Sequence, residues 1–342
     1  VLFRSTLVIN TDASDPAPKA AWDHMAKAFM AANPDVQVKI NTFDHEGYKT
    51  SIRNFLTADP PDVVTWYAGN RMAPFVKAAL FEDVSDVWAK EGLTDKLKSA
   101  TPSMTIDGKQ WGVPYTYYQW GIYYRKDLFA KHGITVPKDW KELLAASAKL
   151  KAAGITPFAI GTKALWPTGG WFDYLDMRVN GYEFHMDLTS GKVPYTDKRV
   201  QDVFDRWDEL TKPGYFLANH ASYDWQDAVP AFVKGEAAMY LMGNFAVDPF
   251  KKGGLSEAQL GFMQFPKISN VPMAEDAPTD TMHIPAKAKN KEDARRFLAY
   301  AASAKVQGEV NAILGQLPVN KDATRPSDTY LKDGFTMLSN AH

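Results

Sequence analysis

Aromatic side chains are concentrated in one short stretch of the chain, WGVPYTYYQWGIYY at residues 111–124. Seven of its fourteen residues are Trp or Tyr. Successive side chains of a strand point to opposite faces, so a strand packed on one side needs large rings on one face only. If this stretch is a strand, one face carries Tyr115, Tyr117 and Gln119, and the other carries Tyr118 and Trp120. One face can then pack against a core while the other lines a binding site, and the alternation is compatible with either assignment.

The composition excludes several classes of function. The 342 residues suffice for two domains with separate cores, and the net charge of −1 offers no basic surface for nucleic acid or an anionic membrane. No Cys is present, which excludes disulfides, thiolate metal sites and cysteine nucleophiles and suits a bacterial envelope protein. The nucleophile elbow, the phosphate-binding loop and the H-E-x-x-H motif are missing, and no two His lie within four residues of each other. The sequence therefore predicts no enzyme, no cofactor and no metal site.

The first eighty residues alternate between strands and helices. Apolar residues predict strands at 6–10, 36–40 and 63–66, with amphipathic helices between them. Strands joined by helices favour a parallel sheet, which binds ligands beyond the carboxyl ends of its strands. Polar or small residues follow each predicted strand, as a binding edge requires. They are Asp12 and Ser14 after the first strand, Asp44 after the second and Asn70 after the third.

A second alternating unit follows the aromatic stretch. Helices are predicted at 137–151 and 197–210, and strands at 156–160 and 237–242. A further strand at 281–284 and a helix at 291–302 come after an aperiodic segment. We therefore expect an α/β protein of two lobes, each a mostly parallel sheet flanked by helices, with a ligand cleft between the lobes. The predicted lobes comprise 1–112 with 267–316, and 113–266 with 317–342.

Several motifs occur in a specific order along the chain. They are G-K-x-W-G-V-P at 108–114, Y-Y-R-K-D-L-F at 123–129, P-x-x-W-x-E-L at 137–143 and F-x-x-G-x-A-A-M at 232–239. In this order and spacing they resemble the extracellular solute-binding proteins of sugar-import ABC transporters, the family of the maltodextrin- and multiple-sugar-binding proteins. The resemblance extends over nearly all of residues 6–320. That family continues beyond a segment like 331–342 into further helices, so we expect the C-terminal helices to be truncated here.

The resemblance implies a receptor that binds a carbohydrate without acting on it chemically. Such a receptor captures a mono- or oligosaccharide by hinge bending and delivers it to the membrane permease subunits of the transporter. We expect a monomer in the periplasm, or outside the cell on a lipid anchor. A sugar presents an apolar C–H face and a rim of hydroxyl groups, so its site needs flat aromatic rings and planar polar groups.

Matching the chain to the family gives a set of candidate ligand-binding residues. Trp66 corresponds to the aromatic residue at the third strand end, Phe245 to the stacking ring of the second lobe, and Tyr118 to a polar position in the crossing strand. Phe245 follows Gly243-Asn244 where maltodextrin binders have Trp after Gly-Pro, which argues against maltodextrin as the ligand. The full set is Asp12, Ser14, Asp44, Trp66, Asn70, Tyr117, Tyr118, Trp120, Trp166, Trp171, Asp173, Trp225, Asn244, Phe245 and Asp280.

Three other functions are compatible with parts of the sequence. The adjacent tyrosines Tyr117-Tyr118 and Tyr123-Tyr124 are typical of ferric-ion binders of similar architecture. Aromatic boxes with several carboxylates are typical of polyamine binders. The 40 Asp and Glu residues could include the carboxylate pair of a glycoside-acting enzyme, although a chance pair is expected among so many.

Overall fold

A strand from late in the chain completes the first of two sheets in the computed structural model, which describes residues 2–341. The strands are β1 (Ser5–Thr11), β2 (Val36–Thr42), β3 (Val63–Tyr67), β4 (Thr105–Ile106), β5 (Lys109–Gln110), β6 (Val113–Tyr117), β7 (Trp120–Arg125), β8 (Thr156–Ala159), β9 (Ala237–Gly243), β10 (Leu260–Met263) and β11 (Thr279–His283). The helices are α1 (Pro16–Ala32), α2 (His45–Thr57), α3 (Ala73–Lys77), α4 (Ser85–Glu91), α5 (Leu93–Lys96), α6 (Thr101–Met104), α7 (Lys126–Lys131), α8 (Trp140–Ala152), α9 (Trp166–Val179), α10 (Tyr182–Thr189), α11 (Lys198–Thr211), α12 (Val229–Val233), α13 (Val247–Lys252), α14 (Lys291–Ala301), α15 (Ala304–Leu314) and α16 (Thr329–Ser339).

These elements form two compact units. The first unit comprises the chain up to Tyr118 together with Pro278–Ser327, and the second comprises Gln119–Ala277 and the chain from Asp328 onward. The domain boundaries expected from the sequence fall earlier, at 112/113, 266/267 and 316/317. The first of them precedes β6, which pairs with β11 inside the first unit. In addition, Tyr117 and Leu317 exchange backbone hydrogen bonds there.

The first unit is built on a five-stranded sheet with the order β2-β1-β3-β11-β6. β1 is parallel to β2 and to β3, whereas β11 is antiparallel to both β3 and β6. Four of the five strands therefore run in one direction. The strands predicted at 6–10, 36–40 and 63–66 are confirmed, with ends within two residues of those expected.

One core holds the first unit together. Trp22, Met25 and Phe29 recur at helical spacing on α1 and are all buried, as their spacing predicts. Phe297 of α14 packs between them, stacked on Trp22 at 6.1 Å and edge-on to Phe29 at 5.2 Å between ring centroids. Met282 of β11 joins the same core, so the late strand and helices are integral to this unit.

The second unit is built on a four-stranded sheet with the order β10-β7-β9-β8. β7 is antiparallel to both of its neighbours, and β8 is parallel to β9. All seven residues of β9 are buried, as expected of a central strand covered on both faces. The expectation of two mostly parallel sheets flanked by helices is confirmed, with one strand of each sheet running against the others.

The aromatic stretch at 111–124 is two strands, one in each unit. β6 and β7 are separated by Tyr118 and Gln119, where the chain passes from the first unit to the second. Tyr115 lies in the core of the first unit, and Tyr123 is enclosed by Phe250 and Phe262 of the second. The expected alternation through residues 115–120 as a single strand is wrong, because the strand pairing ends at Tyr117 and begins again at Trp120.

No helix in the described part of the chain has both the length and the apolar character that a bilayer crossing demands.

A buried ion pair holds the segment that follows β10. The Arg178 and Glu275 side chains are both completely buried, with Nη2 donating to Oε1 at 2.7 Å. Arg178 also donates to the carbonyl oxygens of Phe265 and Ala274. Glu275 accepts from Tyr174 at 2.9 Å, so its carboxylate is fixed from two sides. This network connects α9 to the residues that lead into Asp276.

Replacing Arg178 with Met should destabilise the protein by about 3–5 kcal/mol, because it leaves the Glu275 carboxylate buried without its cation. The matched control is Arg206→Met on α11, which removes an exposed pair with Glu209 and should cost less than about 1 kcal/mol. Urea unfolding followed by circular dichroism measures both changes. If the two variants were equally stable, the buried pair would contribute no more to the free energy of unfolding than the exposed pair does.

Candidate ligand-binding site

The polar residues of the first unit meet at one edge of its sheet. Asp12 directly follows β1, and Tyr67 is the last residue of β3. Asp280, near the start of the antiparallel β11, lies opposite Tyr67 in the strand register. The carboxyl ends of two parallel strands and the amino end of β11 therefore converge, as predicted for a binding edge.

Asp12 is held by donors from neighbouring elements. The Thr65 hydroxyl donates to Oδ1 at 2.9 Å, and His45 Nδ1 lies 2.9 Å from Oδ2. Tyr67 reaches the same Oδ2 at 3.5 Å. Burial opposes ionisation of Asp12, but the hydrogen bond and charge of His45 outweigh it and keep the pKa of Asp12 below its usual range. The same interaction raises the pKa of His45 despite burial. Asp12 is therefore a fixed carboxylate.

Asp280 has a different environment. Its Oδ1 accepts a hydrogen bond from the Tyr118 hydroxyl at 3.2 Å. Burial and the nearby charge of Asp12 raise the pKa of Asp280 to about 7. We refer to Asp12, His45, Thr65, Tyr67, Tyr118 and Asp280 together as the carboxylate network.

The other predicted residues of the first unit lie outside this network. Ser14 and Asn70 are exposed, and Asp44 is the N-cap of α2, where it accepts from the Gly47 amide at 2.9 Å. Tyr117 is half-buried against the core. For these four residues a ligand contact stays a prediction from the sequence.

Trp66 belongs to the core of the first unit. It is 7% exposed, its indole nitrogen donates to the Arg71 carbonyl at 2.9 Å, and its ring packs against Tyr48, Tyr67 and Phe75. Its ring is largely enclosed by protein, and a ligand contact of Trp66 stays a prediction from the sequence. The next residue, Tyr67, is the one that reaches the carboxylate network.

Four rings form a cluster in the second unit. Trp120 starts β7, Trp166 starts α9, Trp225 lies in the loop before α12, and Phe245 lies in the turn after β9. Centroid distances are 6.0 Å for Trp120–Trp166, 6.1 Å for Trp166–Phe245 and 5.1 Å for Trp225–Phe245. We call this set the aromatic cluster. All four were predicted ligand contacts, and the structure brings them together.

The rings of the aromatic cluster meet edge to face or at a tilt, with interplanar angles of 83°, 59° and 76° for the same three pairs. Such contacts are favourable between aromatic rings, and they leave ring faces that are not stacked on one another. In addition, Trp120 Nε1 is buried with no hydrogen-bond partner among the described residues. A buried donor of this kind costs about 1–3 kcal/mol unless an acceptor reaches it, so its position suits a ligand oxygen.

Two glycines make room for these rings. A Cβ atom on Gly170 would lie 2.5 Å from the Trp120 ring, and one on Gly243 would lie 2.4 Å from the Phe245 ring. Neither glycine has a positive φ, so the requirement is for space and not for backbone conformation. Asn244, between β9 and Phe245, is 1% exposed.

Trp171 and Asp173 of α9 lie elsewhere in the second unit. Trp171 is 1% exposed and packs edge-on to Phe158, Phe216 and Phe265 in the interior, and its ligand contact stays a prediction. Asp173 Oδ1 lies 3.3 Å from His185 Nε2. For Asp173 a ligand contact stays a prediction.

His185 lies between two carboxylates. Its Nδ1 is 2.7 Å from Asp176 Oδ2, while its Nε2 faces Asp173. Although burial favours the neutral ring, hydrogen bonds that the ring nitrogens donate to Asp173 and Asp176 raise the pKa of His185 to about 9. Nearby, burial and the charge of Asp173 raise the pKa of Asp276 to about 7.

Sequence reasoning missed His45, Thr65 and Tyr67 of the carboxylate network. His45 stands beside Asp44 at the second strand end, where only Asp44 was selected. Tyr67 directly follows Trp66, the one residue of this strand that was selected. Thr65 carried no usable signal, because a Thr inside a buried strand is ordinary.

A family model described as bacterial extracellular solute-binding protein matches residues 13–308. An uncharacterized ABC transporter extracellular-binding protein of Pyrococcus horikoshii is 30% identical over 323 residues, covering 91% of this chain and 70% of its own. The multiple sugar-binding protein of Streptococcus mutans is 26% identical over 331 residues, covering 93% of this chain and 77% of its own.

Solved structures agree with the family match. The bacterial solute receptor AcbH, which prefers β-D-galactopyranose exclusively, superposes with a TM-score of 0.89 at 29% identity, covering 98% of this chain and 86% of the receptor. A protein from the xylan utilisation system of the thermophilic bacterium Caldanaerobius polysaccharolyticus gives a TM-score of 0.88 at 25% identity, with coverages of 98% and 87%.

The chain belongs to the bacterial extracellular solute-binding protein family. The resemblance inferred from the motifs is confirmed, and so is the predicted periplasmic-binding-protein-like α/β fold. The matched family, the S. mutans relative and the AcbH receptor are binding proteins.

Replacing Gly170 with Ala should disrupt the aromatic cluster, because the added Cβ would overlap the Trp120 ring. We expect a loss of about 1–3 kcal/mol in the free energy of unfolding, together with a change in Trp fluorescence. The neighbouring Gly169 is the matched control, since a Cβ there meets nothing within 4 Å in the same helix. Gly169→Ala should stabilise slightly. If Gly170→Ala stabilised to the same extent, the tight contact with Trp120 would be refuted.

Proposed function

We propose that this protein is the carbohydrate-binding receptor of an ABC importer, taking up a mono- or oligosaccharide. The aromatic cluster of the second unit is the observation that carries the proposal. Its tilted rings, with a buried indole donor among them, match the apolar face and the hydroxyl rim of a pyranose. The sugar ligands of the S. mutans relative and of the galactopyranose receptor support the same ligand class.

The carboxylate network of the first unit offers polar groups that suit the same ligand class. Sugar hydroxyls are both donors and acceptors, and buried hydroxyls need partners. Asp12 and Asp280 offer acceptor oxygens, while the hydroxyls of Tyr67 and Tyr118 offer both functions. These first-unit residues can therefore partner sugar hydroxyls. Capture by hinge bending stays a prediction from the sequence.

The proposed role includes delivery to the membrane permease subunits of the transporter. The family name and the ABC-transporter relatives support an extracellular or periplasmic receptor, with a lipid anchor as the alternative to a free periplasmic protein. We propose that it acts as a monomer and without chemistry on the sugar.

Among the sequence-based alternatives, a ferric-ion site at Tyr123-Tyr124 has lost its support. Tyr123 is fully buried against Phe250 and Phe262, and Tyr124 packs on Phe129 at 4.7 Å. The polyamine alternative requires carboxylates next to the rings, and the ligand screen below distinguishes it from a sugar.

A thermal-shift screen with sugars, amino acids and polyamines tests the ligand class. A sugar present at a hundred times its dissociation constant should stabilise the folded protein by about 2.7 kcal/mol, which is a clear rise in melting temperature. A rise with polyamines alone would contradict the proposal. The sugar that gives the largest rise then serves as the titrant for calorimetry.

Replacing Trp166 with Ala should weaken binding of that sugar by about tenfold, because one stacking ring of the aromatic cluster is lost. The control is Trp207→Ala on α11, which removes the same side chain from a stack with Phe204 outside the cluster. Isothermal titration calorimetry should give unchanged affinity for the control. If the affinity were unchanged in both variants, the aromatic cluster would not be part of the sugar-binding site.

A further inference from the structure

The two carboxyl groups of the carboxylate network are not equivalent. Both oxygens of Asp12 receive protein donors, from Thr65 on Oδ1 and from His45 on Oδ2. Asp280 receives one hydrogen bond among the described residues, from Tyr118 to Oδ1. Its second oxygen accepts from no described residue, so a ligand can donate to it without displacing a protein donor.

The backbone directs Asp280 to this position. The register of β11 against β6 shifts between Asp280 and Thr281, so an irregularity of the β-bulge type lies at this residue. Bulges re-aim side chains and occur frequently next to functional sites. Thr281 and Met282 return to regular pairing with Pro114 and Val113, so the irregularity is confined to the site end of the strand.

The charged and titratable groups facing Asp280 come from each neighbouring element. Asp12 comes from the end of β1, His45 and Lys49 from α2, and Tyr67 from β3. Tyr115 and Tyr118 come from β6 and the residue after it.

Each cationic side chain among these groups is paired with a carboxylate other than that of Asp280. His45 is paired with Asp12 at 2.9 Å, and Lys49 with Glu46 at 3.3 Å. Asp280 itself forms no ion pair with a described residue. The Asp280 carboxyl thus lies beside one fixed carboxylate without a cation of its own, an arrangement that favours its protonated form.

We propose that Asp280 selects the hydroxyl donors of the ligand, and that capture of the ligand displaces a proton from its carboxyl group to the solvent. This inference rests on the proposed function, since a sugar supplies the donors. A ligand hydroxyl donates a hydrogen bond to the carboxylate of Asp280, and the proton that the carboxyl group held passes to the buffer. The ligand is not altered chemically.

The proposal fixes the sign of the pH dependence. In the free protein the pKa of Asp280 is about 7, so its carboxyl group is mostly protonated at pH 6 and mostly ionised at pH 8. A hydrogen bond donated to the carboxylate lowers this pKa in the complex. Affinity should therefore rise with pH up to about 8 and then level off, with a gain of roughly five- to tenfold between pH 6 and pH 8.

Calorimetric titration with the sugar from the screen, in buffers of different ionisation enthalpy, counts the protons released. About half a proton should leave per ligand at pH 7, and almost none at pH 8.5. Asp280→Asn mimics the protonated group, so it should abolish both the proton release and the pH dependence of affinity. If the affinity of the unmodified protein for the sugar stayed constant from pH 6 to pH 8, the proposal would be refuted, and no variant would be needed to show it.

Two further variants make the assignment specific. Asp276→Asn removes the other carboxyl group with a pKa of about 7, which belongs to the second unit, and proton release should persist in it. Asp59→Asn removes an exposed carboxylate of the first unit and should change nothing. Proton release that survives in Asp280→Asn, or disappears in Asp276→Asn, refutes the role of Asp280. If a sugar binds without releasing a proton, only this inference is refuted. If no sugar binds at all, the proposed function is refuted.

Discussion

The insertion of β11 between β3 and β6 is the constraint on which the first unit depends. This strand comes from residues 279–283, yet it completes a sheet whose other strands all lie before residue 118. Its pairing with both neighbours buries Met282 in the core and places Asp280 opposite Tyr67. Because α14 and α15 follow it, the same insertion brings Phe297 onto Trp22 of α1. The core and the binding edge of this unit thus depend on one long-range pairing.

The carboxylate network and the aromatic cluster are fixed by different kinds of contact. In the first unit, hydrogen bonds hold the polar groups, as when the buried Tyr48 hydroxyl donates to the Thr65 carbonyl beneath Asp12. In the second unit, ring contacts and close approach to glycine hold the aromatic side chains. Each mechanism limits the conformational freedom that a ligand would otherwise have to remove, which is how preorganised sites gain affinity.

Periodicity predicted the elements well where one face of an element packs on a single core. β1, β2 and β3 have apolar runs bounded by turn residues, and α1 has its large residues three and four positions apart. The change of unit between Tyr118 and Gln119 was not predictable in this way, because Tyr and Trp continue on both sides of it. The pairing partners that separate β6 from β7 lie more than a hundred residues away.

Two tryptophans show why the site was only partly predictable. The segment WPTGGW at 166–171 contains Pro and Gly, which are typical of loops. Pro is also favoured in the first turn of a helix, and α9 begins at Trp166. Trp171 then falls on the same buried helix face as Tyr174 and Leu175, whereas Trp166 stays at the helix start among the other rings of the aromatic cluster. The side chains are identical, and only the start of the helix decides which one packs inside.

Asp12 and Asp280 differ in the pKa of their carboxyl groups although their positions are similar. Both residues lie at one sheet edge, and each was selected from the sequence as a carboxylate that could meet a hydroxyl group. His45 lies against Asp12 and lowers its pKa, while the resulting anion, together with burial, raises the pKa of Asp280 to about 7. Asp12 is thereby an ionised carboxylate at every physiological pH, whereas both oxygens of Asp280 are acceptors only after its proton leaves. Because this difference depends on a cation contributed by α2, it is a property of the folded unit and not of either residue type.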